Sequence, residues 1–132
     1  MIRIFATAAA VMLLAMTAHA DPVPREIIGT WCLSSEYDGK AYYLEAEAGS
    51  DCNGNGGNVL VIKSDRYNGH EFSCRFTEVK AWTDRGELLN TKQMAAPTVR
   101  IEALCSIGND QWREMVVLAL SKGMLIAKNG DN

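Results

Sequence analysis

The chain has 132 residues, 48% of them apolar, with 13 Lys+Arg against 16 Asp+Glu for a formal charge of −3. The apolar share is enough for a core and excludes disorder, and the length corresponds to one domain. The acidic balance, with basic residues scattered as Arg25, Lys40, Lys63, Arg66, Arg75 and Lys80, excludes the clustered cations that nucleic acid or an anionic membrane surface requires.

Residues 1–20 read as a secretory signal peptide. Arg3 is a short positive n-region, Ile4 to Met16 an apolar run, and Ala18-His19-Ala20 a small-residue cleavage site. The run is shorter than the roughly 20 residues that span a bilayer, so no membrane span is expected in the mature chain. Cleavage after Ala20 leaves residues 21–132 as a single domain, periplasmic or secreted. Without Arg3 the mature chain carries 12 basic and 16 acidic side chains, a formal charge of −4.

The mature part reads as short strands joined by turns. The first surrounds IIGTWCL within Glu26–Ser35. Asp38-Gly39 is a two-residue hairpin turn, and AYYLEA is the return strand. A loop DCNGNGGN follows, and then NVLVIKSD, an apolar run with Val59 and Val61 on one face and Leu60 and Ile62 on the other. Asn68-Gly69 is a second hairpin signal, leading into HEFSCRFTEVK, where Phe72, Cys74 and Phe76 share a face. The clearest alternation is TVRIEALCSI, which places Val99, Ile101, Ala103, Cys105 and Ile107 on one side. Gly108-Asn109-Asp110 turns the chain into QWREMVVLALS, and Lys122-Gly123 turns it again into MLIAK. Residues 83–96 fit a helical turn, a strand or a loop equally well. The predicted fold is all-β: an antiparallel meander of seven to eight short strands, closed as a small barrel or stacked as a sandwich, with two disulfides.

Four cysteines in a short exported chain predict two bridges. Zinc is set aside because the cysteines are 20, 22 and 31 residues apart and the mature chain holds one histidine, His70. Cys74 and Cys105 both fall on inward apolar faces, which favours Cys74–Cys105 and leaves Cys32–Cys52. Cys32–Cys74 with Cys52–Cys105, and Cys32–Cys105 with Cys52–Cys74, are the alternatives.

The loop DCNGNGGN matches the first half of a calcium loop through Asp51, Asn53 and Asn55, with Gly56 at the turn. The bidentate glutamate such a loop needs at its twelfth position is Ile62 here. A tethered turn is therefore favoured, with calcium at Asp51, Asn53 and Asn55 as the alternative. No catalytic residue and no cofactor is predicted. The chain has no Gly-x-Ser-x-Gly elbow, and its glycine-rich stretch lacks the lysine and helix of a phosphate loop. The carboxylates Glu45, Glu47, Asp51, Glu71 and Glu78 read as solvated strand faces. Candidate binding contacts are aromatic: Trp31, Tyr42, Tyr43 and Trp112. Adjacent Tyr42 and Tyr43 must face opposite ways in a strand, so one of them is exposed or lines a cavity mouth.

Gly29-Thr30-Trp31 on the first strand resembles the Gly-x-Trp opening of lipocalin-like barrels. Size and export resemble the small periplasmic metalloprotease inhibitors of that type, and the GTWC…SC…LC pattern is similar to small exported bacterial proteins with no assigned activity. The arginine that lipocalins place late in the barrel over this tryptophan has no counterpart after Arg113, where the cations are Lys122 and Lys128. The resemblance implies a non-catalytic barrel that holds a small ligand. The alternative is an inhibitor of a secreted hydrolase, which would insert its N-terminal segment, DPVPRE here, into the enzyme.

Overall fold

A computed structural model describes residues 22–54, 58–83 and 97–130. The expected signal peptide, Asn55 of the calcium alternative and most of the undecided stretch 83–96 lie outside the described residues. No helix among the described residues is long and apolar enough to cross a membrane.

Eight antiparallel strands close into a barrel, which decides between the barrel and the sandwich. They are β1 Gly29–Tyr37, β2 Lys40–Ala46, β3 Val59–Ile62, β4 Arg66–Asn68, β5 Ser73–Thr83, β6 Pro97–Ile107, β7 Asp110–Ser121 and β8 Met124–Asn129. Around the barrel the order is β1-β2-β8-β7-β6-β5-β4-β3. From β3 to β8 this is a meander, each strand beside the next. At β1 and β2 the meander is broken: β1 pairs with β3, and β2 closes the barrel against β8.

The connection from β2 to β3 must therefore cross β1. It contains DCNGNGGN, and a bridge from Cys52 to Cys32 ties it to the strand it crosses. Trp31 faces the core, so Cys32, its neighbour, presents its sulfur on the outer face of β1. Positive φ angles at Cys52, Asn53 and Gly54 (53°, 62° and 81°) bend the crossing segment, and the Ser50 hydroxyl accepts a hydrogen bond from the Cys52 amide at 3.2 Å. The abundance of Asn and Gly fits this path, because both tolerate the left-handed region.

The other turns are local. Asp38-Gly39 and Lys122-Gly123 have both central residues at positive φ (54° and 72°, 51° and 77°), as type I′ hairpins require. Asn68-Gly69 departs from that reading. Asn68 ends β4, the loop runs Gly69 to Phe72, and the left-handed residue is Glu71 at φ 67°. Glycine is needed at 69 for space: a Cβ there would stand 2.0 Å from the Phe72 ring. The run NVLVI is one-sided, with Leu60 and Ile62 buried and Val59 and Val61 partly so. Ile107, at the end of its strand, is exposed.

The core fills one end of the barrel. Val99, Ile101, Ala103 and Cys105 of β6 meet Leu118, Leu125, Leu60, Ile62 and Val79. Below them the chain before β1 forms a plug: a short 3-10 turn, Arg25–Ile27, buries Ile27 fully and Val23 almost so. The Trp31 indole Nε1 donates to the Ile27 carbonyl at 2.9 Å and pins the turn beneath the barrel.

Candidate functional site

The end of the barrel opposite the plug is open. A cavity of about 570 Å³ descends from it, within the range typical of small-molecule sites. The β1–β2 turn and the C-terminal part of β8 form its rim, and Leu60, Phe72, Val116, Leu118 and Ala127 supply apolar wall. Of the polar residues along it, Tyr37, Asp38, Lys40 and Lys128 border it at the rim, and Glu36, Tyr43, Tyr67, Glu114 and Asn129 have inward register.

Each of these is aimed by the register of its strand. The two-residue turn after Ile107 sets Ile107 opposite Asp110, and the pairing then runs without a break to Ala103 opposite Glu114 and Ile101 opposite Val116. Directly opposed residues share a face, so Glu114 enters the barrel beside the buried Ala103. Tyr43 opposes Leu125, a fully buried core residue, and points inward with it. Tyr67 opposes Cys74, on the inward face of β5. Glu36 owes its position to a bulge in β1. Leu33 pairs with Tyr43, but after the irregularity at Ser34 the pairing resumes as Ser35 with Tyr42 and Glu36 with Ala41. Regular alternation from Leu33 would have turned Glu36 to the outside; the extra residue turns it into the mouth.

The Tyr67 hydroxyl donates a hydrogen bond to Oε2 of Glu114. Burial first, and then the Glu114 carboxylate, push the Tyr67 hydroxyl far above its ordinary range, so it stays a proton donor. Tyr43 is shifted in the same direction, by burial and then by the negative charge of Glu36. The fully buried Cys74–Cys105 bridge lies against Glu114, its two sulfurs 3.7 and 3.4 Å from the same Glu114 oxygen. Cys74, Cys105 and Glu114 are the one group of metal-ligating side chains clustered among the described residues. Both sulfurs are committed to the disulfide and offer no thiolate, so the cluster is not a metal centre in this state. Asp51 and Asn53 of the calcium alternative are exposed.

Of the aromatic candidates, the structure brings Tyr43 alone into the cavity wall. Tyr42 faces outward, opposite Ser35 and Ile126. Trp31, at 2% exposure and with its indole nitrogen bound to the Ile27 carbonyl, lies in the core beside the plug and outside the cavity lining. Trp112 stands on β7 opposite Cys105, 36% exposed and outside the cavity lining. His70 is exposed, 3.5 Å from Glu71. Sequence reading missed Glu114, Tyr67, Phe72 and Glu36. Glu114 carried a usable signal, since the short turn at Gly108-Asn109 dictates which residue opposes Ala103. Glu36 carried none, because a bulge leaves no mark in the alternation.

No family model, no curated protein and no solved structure proved similar to this chain.

Proposed function

We propose that this chain is an exported, non-catalytic binding module of lipocalin-like design that holds a small, largely apolar ligand in the barrel mouth. The observation that carries this reading is the cavity itself, open at one end, floored by the core and sealed below by the plug. Export is supported by the two disulfides, which persist in oxidising compartments, together with the leader-like residues 1–20. A binding rather than catalytic role is supported by the groups that face the cavity. The polar groups of inward register are two tyrosines, two carboxylates and the Asn129 amide, and the one acid-base contact among them, Tyr67 with Glu114, fixes the tyrosine as a donor. The inhibitor alternative asks residues 21–26 to leave the barrel. Val23 is buried there, and Ile27, the residue after the segment, is held by Trp31, so the geometry favours the ligand reading.

The test is a titration of the mature protein with N-phenyl-1-naphthylamine, a neutral probe whose fluorescence rises in apolar surroundings. One probe per chain is expected to bind with enhanced, blue-shifted emission. Ala127→Trp and Ala41→Trp, which fill the mouth, are expected to lower that affinity at least about tenfold. Undiminished binding in both folded variants, or no binding in the parent protein, would contradict the reading.

A further inference from the structure

The mouth carries an unbalanced charge. Glu114 sits inside the barrel, half-buried, yet none of the ion pairs among the described residues includes it or Glu36. The hydrogen bond from Tyr67 and both sulfur contacts fall on Oε2, and no hydrogen bond among the described residues reaches Oε1. A carboxylate drawn partly out of water without a cation is costly, and a fold keeps such a group at a site more readily than in a passive wall.

The two lysines that border the cavity have outward register and pair with neither carboxylate. Lys40 and Lys128 stand at the rim, but they oppose each other across β2 and β8, in register with the outward-facing pair Tyr42 and Ile126. Arg113 precedes the inward Glu114 and opposes Leu104 on the outer face. The inward face therefore presents two carboxylates, two tyrosine rings, the Phe72 ring and the Asn129 amide above an aliphatic floor. Aromatic faces attract ammonium groups, and carboxylates complement them more strongly still.

We propose that the mouth is selective for a small cationic amphiphile. Its ammonium group would sit toward Glu114 and Glu36 among the tyrosine rings, and its hydrocarbon body would rest on Leu60, Val116 and Leu118. This rests on the mouth being the binding site, and the experiment separates the two claims. Bound N-phenyl-1-naphthylamine is displaced from the mature protein by octyltrimethylammonium, octyl sulfate or octyl glucoside, all below their micelle concentrations.

The ammonium is expected to displace the probe at about a tenfold lower concentration than the sulfate, a gap that narrows as salt rises. Glu114→Gln and Glu36→Gln should each reduce the gap about threefold, and the double variant should close it. Displacement by the neutral glucoside should be unchanged throughout. Glu36 lies at the exposed rim, so its variant keeps the test valid if Glu114→Gln fails to fold. Equal displacement by both ions, preference for the sulfate, or a gap that survives the double variant overturns the cationic assignment. If the probe binds and Ala127→Trp blocks it while the ions do not differ, the cationic assignment alone falls. If the probe does not bind, both claims fall.

Discussion

Trp31→Ala is expected to destabilise the domain by about 4 kcal/mol or more, the largest effect of any single truncation among the described residues. Two losses combine. Removing a fully buried aromatic side chain costs about 3–5 kcal/mol through lost burial and the cavity left behind. The indole also supplies the hydrogen bond to the Ile27 carbonyl, and an acceptor left unsatisfied at a buried site adds about 1–3 kcal/mol. Against a stability of roughly 5–15 kcal/mol for a domain of this size, the variant sits near the edge of folding. The plug should loosen before the barrel does, because Ile27 keeps its apolar contacts but loses its tether. Trp31→Phe separates the two terms: it retains most of the ring and removes the donor, and is expected to cost about half as much. Urea denaturation of both variants gives the stabilities. Limited proteolysis should cut between Val23 and Ile28 faster in both than in the parent protein, and equal cutting rates would contradict the tethering role.

Removing the Cys74–Cys105 bridge is the second large effect. It closes 31 residues, and the chain-entropy account assigns such a loop about 3.7 kcal/mol, against about 3.3 for the 20 residues closed by Cys32–Cys52. The two bridges also act on different parts of the fold. Cys74–Cys105 joins directly opposed residues of β5 and β6, strands already paired along most of their length. Its loss should lower the melting temperature by about 15 °C while leaving the topology intact. Cys32–Cys52 holds the crossing segment against β1, whose other contact with that region is the short ladder to β3. Its loss should be smaller in energy but visible as exchange of the β3 amides with solvent. Calorimetry of the Cys74→Ala/Cys105→Ala and Cys32→Ala/Cys52→Ala double variants ranks the two. A larger drop in the second pair would contradict the loop-length argument.

The parts of the fold legible in the sequence are those set by neighbours. Asp38-Gly39 and Lys122-Gly123 announce hairpins because their residues accept positive φ. The alternation from Val99 to Cys105 announces a half-buried strand because its period is two. With the inward face of that strand known, Cys74 and Cys105 fall together. The pairing of β1 with β3 was not legible, since a crossing connection has the same local pattern as a simple one. DCNGNGGN read as a tethered turn, but what it is tethered across depends on strand order. Trp31 read as a binding aromatic because burial and ligand contact ask for the same side chain. The site was the least legible part. The Tyr42-Tyr43 pair announced opposed faces, but not which of the two rings enters the cavity. Glu114 needed the register of β6 with β7 carried four pairs beyond the first, and Glu36 needed a bulge that no residue type announces.

The central claim is that the barrel mouth, and no other surface, binds the ligand. The most direct test is a titration of the isotopically labelled mature protein with octyltrimethylammonium, followed through its backbone amide resonances. The account predicts saturable shifts concentrated at Glu36, Tyr43, Tyr67, Phe72, Glu114 and Ala127, with the plug and the crossing segment unmoved. Shifts concentrated instead around the exposed Ile28 and Leu44, or around Trp112 and Ile107 near the tip of the β6–β7 hairpin, would place binding away from the cavity and contradict it.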